Sequence, residues 1–302
     1  MSNPVQRHFK ENFNRLAMDK RFHFATRLFA WGRDEFARDF LVQNGDLKIH
    51  GGDVGAIMAD LRGLARAEYD YATVQNASRR RELFERYPFL VGDLLVMERV
   101  RPLLTFWGID LRAEAREIIG DVRENSEKLL HDIEAVRELS TYAINYWFLG
   151  NRILYQTDFD LLEALRKVFA GWEVDEKNVT AYVYAFCHAV IDESNYYAWE
   201  LGDEYRQFLR EILDEVRKVV LRYRAALSLD VQVEFLVCEK MLGVVLDERV
   251  MDGCMGRMQE LMPDSDGKDF SRAEHRGVLY IMATCERWTP HKRGDLGILV
   301  EF

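Results

Sequence analysis

Tyr184, His188 and Asp192 follow one another at intervals of four, which places all three on one stripe of an α-helix. A phenol, an imidazole and a carboxylate in that order are proton-transfer chemistry. Asp192 would fix the ring, His188 would carry the proton, and Tyr184 would donate a hydrogen bond. The same His–Asp pair could also ligate a metal. Glu193, Asn195, Tyr196 and Tyr197 come next, as polar groups at a helix end and hence at a rim where ligands enter. Glu234 interrupts the apolar run Val231-Gln-Val-Glu-Phe-Leu-Val-Cys. Buried there, its pKa would rise and it could act as a general acid or base. Asn145, Asn151 and Arg152 form a similar set earlier in the chain, with Arg152 suited to clamping a carboxylate or phosphate. Each has a plainer alternative: a core histidine satisfied by a carbonyl or carboxylate, a glutamate paired with an arginine, an arginine reaching to water.

Other chemistry is thinly represented. Glu127 with His131, and Asp19 with His23, have i, i+4 spacing but lie in charge-rich helices and read as solvated faces. There is no H-E-x-x-H and no Glu-x-x-His pair of the di-iron bundles. An isoprenoid-synthase D-D-x-x-D cluster is also missing, since Asp192-Glu193-Ser194-Asn195 lacks the third carboxylate. No G-x-S-x-G, P-loop or G-x-G-x-x-G occurs, and Gly51-Gly52 is a turn signal. Neither a metal nor a cofactor is expected.

These residues need helices to hold them. Stretches apolar almost all the way round begin near Thr141, Thr180, Asp230 and Arg276, and such helices must be wrapped on most sides. Between them Asp160–Ala170, Asp203–Leu227 and Glu248–Leu261 are amphipathic; the longest carries Phe208, Ile212, Val216, Val220 and Tyr223 on one face. Starts roughly 40–50 residues apart fit a two-helix repeat of one inner and one outer helix. Phe24, Leu28, Trp31 and Phe36 keep helical spacing between 22 and 41. Leu47–Ile49 and Gly297–Val300 alternate weakly enough to suggest a small strand ribbon. The fold expected is all-α: helical hairpins stacked as an α/α toroid or short solenoid. No linker divides the chain, so one domain is expected over 1–302, with a less regular half at 1–137, repeats at 138–290 and a tail at 291–302.

The segment Tyr184-Ala-Phe-Cys-His188-Ala-Val, preceded by Thr180 and Tyr182, resembles α/α-toroid and helical-hairpin repeat proteins, including an uncharacterised bacterial helical-repeat family. The resemblance covers 140–290 and implies a fold more than an activity. Toroid enzymes act on sugars or on prenyl and terpenoid chains, and their catalytic motifs are not found here.

Composition narrows the partners. Lys and Arg number 41 against 51 Asp and Glu, a net charge of −10 that opposes a nucleic-acid backbone. Arg79-Arg80-Arg81, the densest basic run, reads as a solvated helix turn. The polar N-terminus lacks the core of a signal peptide, no apolar run nears the ~18–20 residues of a membrane span, and a cytoplasmic location is expected. Cys187, Cys238, Cys254 and Cys285 contain no C-x-x-C, so reduced, buried thiols are the default. A thiolate cluster of Cys187, Cys238 and Cys285 is the alternative. Two functions remain. One is a scaffold that binds a peptide or protein on an aromatic-lined surface formed by Tyr142, Tyr146, Trp147, Tyr182, Tyr184, Tyr196 and Tyr197. The other is an enzyme doing acid–base chemistry on a small molecule or peptide through His188, Asp192 and Glu234. Its ligand would be held by Tyr184, Glu193, Asn195, Tyr196, Asn145 and Arg152.

Overall fold

The computed structural model describes residues 3–68, 77–263, 268–284 and 287–300, except for the side chains of 77–79, 268 and 269. Among them the chain is all-α, with eighteen α-helices and no strand. None of these helices is long and apolar enough to cross a membrane. Contacts gather into two compact units: residues 1–43 with 174–293, and residues 44–173 with 294–302. Neither follows the 1–137 and 138–290 halves read from the sequence.

The first unit opens with α1 (Pro4–Glu11), α2 (Met18–Gly32) and α3 (Glu35–Asn44). Arg33, in the left-handed region at φ 56, ends α2 and breaks what the sequence suggested was one helix through Phe36. Phe24, Leu28 and Trp31 are buried as expected, whereas Phe36 is exposed.

The second unit comprises α4 (Asp46–Ile49), α5 (Val54–Ala65), α6 (Ala77–Arg86), α7 (Gly92–Trp107), α8 (Arg112–Arg116), α9 (Val122–Leu130), α10 (Ile133–Leu139), α11 (Thr141–Trp147) and α12 (Leu161–Phe169). The apolar helix from Thr141 therefore belongs here. It continues into a π turn over Phe148–Leu154, where a Cβ on Gly150 would overlap Val122 of α9. The expected strand ribbon does not form. Residues 46–49 coil into α4, closed by left-handed His50. The N–H groups of Gly297, Ile298 and Leu299 donate to the carbonyls of Leu104, Thr105 and Phe106. Those carbonyls lie in the last turn of α7, where Leu104 also accepts from the Gly108 cap, and docking on that helix end is a stronger demand than weak alternation.

The first unit resumes with α13 (Val179–Glu193), α14 (Asp203–Arg222), α15 (Leu229–Met241), α16 (Glu248–Gly256), α17 (Met258–Leu261) and α18 (Lys268–Thr284). Ser228 caps α15 by accepting from the Val231 N–H. Helices α13, α15, α18 and α2 are neighbours in that order, α14 packs on α13, and α16 packs on α15. Outer α14 buries Tyr205, Phe208, Leu209, Leu213, Val216 and Val220. Leu213 thus replaces the expected Ile212 at the core, with Ile212 and Tyr223 half-buried. α15 is wrapped so fully that even Gln232, Glu234 and Glu239 are buried.

Close approach of α1 to α18 depends on Gly277, because a Cβ there would overlap the Phe9 ring. Gly277→Ala is expected to cost about 1–3 kcal/mol through overpacking. Gly256→Ala, with nothing near its would-be Cβ, is expected to be neutral or up to about 1 kcal/mol stabilising. Denaturant unfolding of the two variants checks both.

Candidate acid–base site

Helices α2, α13, α15 and α18 of the first unit bring six carboxyl and imidazole side chains together. On α13, His188 Nδ1 lies 3.9 Å from Asp192 Oδ2, and Nε2 lies 3.7 Å from Glu234 Oε1 of α15. The other oxygen of Glu234 faces His275 Nε2 of α18, also at 3.7 Å. Beside it, Glu274 Oε1 is hydrogen-bonded to His23 Nδ1 of α2 at 2.8 Å. The rings of His23 and His275 have their centroids 5.3 Å apart. Tyr184, one turn before His188, meets that ring edge to face at 6.1 Å.

Burial separates the two residue types. Side-chain exposure is 0 % for Asp192, 4 % for Glu234 and 0 % for Glu274. His188, His23 and His275 keep 17 %, 27 % and 31 %. The carboxyls form a sealed floor, and the imidazoles rise from it to the solvent edge.

The two glutamates are pushed in opposite directions. Burial raises the Glu234 carboxyl, but His275, His188 and Arg27 outweigh it and hold the group below its ordinary range. Glu274 is also raised by burial, Arg27 and Lys20 offset only part of this, and it is pushed up to about 8. Desolvation first, then Arg27, His275 and Lys20, lower His23 well below the usual imidazole value. At neutral pH Glu234 is thus an anion, while Glu274 is a neutral acid whose O–H donates to neutral His23. Opposite displacement of two nearby carboxyls is how a site assigns one as base and the other as acid. Tyr184, raised by burial and by the charges of Glu234 and Asp230, remains a neutral donor.

A strained turn supports this arrangement. Asn195, Tyr196 and Tyr197 are all left-handed, at φ 50, 53 and 75. Side chains rarely adopt this conformation without glycine, and each such residue costs on the order of 1–2 kcal/mol. Ser194 Oγ donates to the Ile191 carbonyl and accepts from the Tyr197 N–H, and Trp288 Nε1 donates to the Tyr197 carbonyl. So held, Tyr197 is fully buried within the electrostatic reach of Arg27, the cation that acts on both glutamates.

His188, Asp192, Glu234 and Tyr184 thus lie together. Glu193 instead joins the end of α13 to the returning chain, its Oε1 accepting from Arg293 and from the Gly202 N–H. Asn195 is buried in the strained turn and Tyr196 is half-buried. Asn145 and Arg152 belong to the second compact unit. Glu127, paired with Arg123, and exposed His131 do form a solvated face. Asp19 is likewise exposed, but His23 is not part of a solvated face: α18 packs on that side of α2, and its buried Glu274 takes the imidazole.

His23, Arg27, Glu274 and His275 are the participants that the sequence reading missed. The signal was present in α18, where Phe270, Glu274, Val278 and Ile281 share an inward face. A glutamate there is as conspicuous as Glu234 in α15. Cys187, Cys238 and Cys254 are buried free thiols, all raised by desolvation. Cys285, the third member of the imagined thiolate cluster, lies outside the described residues. Among those described, no three His, Cys, Asp or Glu side chains are grouped so as to hold a metal ion. The chain matches no family model, no curated protein and no solved structure.

The opposed shifts set a pH dependence. Glu274 holds its proton in the folded state from the ordinary carboxylate value of 4.5 up to about 8, so its contribution to stability declines as pH rises through that interval. His23 acts inversely: the unfolded chain takes the extra proton below 6.5, so its contribution declines as pH falls below that value. The two effects oppose each other between 4.5 and 6.5, and between 6.5 and 8 the Glu274 decline stands alone, about 2 kcal/mol. Difference profiles from denaturant melts should show Glu274→Gln losing the decline above 6.5. His23→Gln should uncover a decline beginning near 4.5.

Proposed function

We propose that the first unit carries an acid–base catalytic site centred on Glu234, acting on a small molecule at the solvent edge of His188 and His275. Ionised Glu234 is the base, Asp192 orients His188, and Tyr184 donates a hydrogen bond. One contrast carries this reading. The His23–Glu274 pair is closed at 2.8 Å, whereas the imidazoles beside the two oxygens of Glu234 both stand off at 3.7 Å. Buried ion pairs that exist only for stability gain by closing, since an open one leaves desolvated charge poorly compensated. Open pairs with half-exposed imidazoles leave room for a ligand's proton.

The neighbour order of α13, α15, α18 and α2, with α14 and α16 outside, supports stacked inner and outer helices in this unit and a site built on their inner faces. A scaffold with an aromatic groove has less support, since Tyr146, Trp147, Tyr182 and Tyr197 are core residues. Raised, reduced thiols suit the cytoplasm as the compartment.

The test is turnover by the full chain on a panel of small carbonyl, ester and hydroxy-acid compounds, followed by proton uptake or release. Glu234→Gln and His188→Gln should each lower turnover about 10²–10⁴-fold, with His131→Gln as an unaffected surface control. Equal turnover by Glu234→Gln and the parent chain, with both folded by circular dichroism, would refute the site.

A further inference from the structure

We propose that His23 and Glu274 form a proton reservoir for the Glu234 site, connected to it through His275. This rests on the acid–base reading and extends it to two residues outside the Glu234 triad. The groups run Glu274, His23, His275, Glu234, His188, Asp192, carboxyls and imidazoles meeting at 2.8, 3.7, 3.7 and 3.9 Å, with one ring-to-ring step of 5.3 Å. Helix geometry makes the junction. Successive residues on α18 diverge by about 100°, so Glu274 reaches α2 while His275 reaches α15. The His23 ring then returns to the side of His275. The sealed Glu274 Oε2 has no hydrogen-bond partner. An anion there would hold unsolvated charge, whereas a carboxylic acid fits.

The groups around Glu274 favour storage of one proton. From α2 these are Asp19, Lys20, His23 and Arg27, of which Arg27 and Lys20 favour the anion and Asp19 opposes it. From α15, Glu234 stands across His275, Asp230 is taken by Arg276, and Lys240 donates to the Met282 and Ala283 carbonyls. α1 presents His8 against Phe270 and Phe9 beside Gly277, and Glu260 of α17 is taken by Arg257 and Arg276. Burial dominates and the proton stays on Glu274 at neutral pH.

The transfer balances without electrons. Glu274 gives its proton to His23 Nδ1, and His23 releases one from Nε2. His275 accepts it and presents a proton to the molecule from which Glu234 has taken one; Glu234 then passes that proton by way of His188 to solvent and returns to the anion. Glu274 is refilled from water through the exposed edge of His23.

Infrared difference spectroscopy of the full-length protein tests the reservoir without a known substrate. The expected result is a buried carboxylic-acid C=O band at neutral pH that bleaches as pH rises through about 8. The band should be absent in Glu274→Gln, and His23→Gln should slow its hydrogen–deuterium exchange at least about tenfold. His23→Gln leaves Glu274 in place, so the measurement stands even if Glu274→Gln fails to fold. A band that survives Glu274→Gln, titration alongside the ordinary surface carboxylates, or exchange indifferent to His23 would each overturn the reservoir. So would a stoichiometric metal ion lost on Glu234→Gln, because an ion between Glu234 and His275 closes the path. Failure of the acid–base reading itself is separate: there the band behaves as stated while Glu234→Gln leaves turnover intact.

Discussion

A carboxylate sealed in a helical core, with an imidazole turned toward each of its oxygens, is the constraint around which the first unit is organised. Burying the Glu234 anion without compensation would cost several kcal/mol, and α15 buries it because its whole circumference is covered. Compensation has to come from elsewhere in the chain: His188 from α13, His275 from α18, and Arg27 from α2 as a more distant cation. Tyr197, buried within the field of Arg27, is set in place by the left-handed turn, which Ser194 and Trp288 tie down.

Two glutamates on adjacent inner helices thus have different chemistry for reasons visible in their neighbours. Glu234 receives two imidazoles and a guanidinium, which outweigh desolvation. Glu274 receives one imidazole that is itself reluctant to charge, and desolvation prevails. The residue type is the same, and the surrounding field decides between the anion and the neutral acid.

Much of this was legible in the residues. The all-α class, the wrapping of the helices at 179–193 and 229–241, and the stripe of Tyr184, His188 and Asp192 follow from periodicity and from polar intruders on apolar faces. The rest depended on tertiary neighbours. His23 sits among Asp19, Lys20 and Arg27, where charge density argues for water, and only packing against α18 makes it an interior group. Glu193 and Asn195 looked like rim residues because a helix end is usually open; here the chain folds back over it and engages Glu193 with Arg293. The tail at 297–299 alternates like a strand, yet it donates to the carbonyls in the last turn of α7. Local pattern identified which side chains were unusual, and long-range partners determined what each one does.

The first unit is built from both ends of a chain with 130 other residues between its two segments, Gln43 and Val174 marking the interruption. His23 and Glu274, the tightest pair of the cluster, are 251 positions apart. During synthesis α2 is complete long before its partner exists. Its histidine and arginine must therefore stay hydrated beside Phe24, Leu28 and Trp31 while residues 44–173 emerge. A nascent chain in that state presents an apolar face studded with charge, which resists premature collapse better than a purely apolar one would. The polar groups buried in the finished core also keep this early helix soluble until α18 arrives.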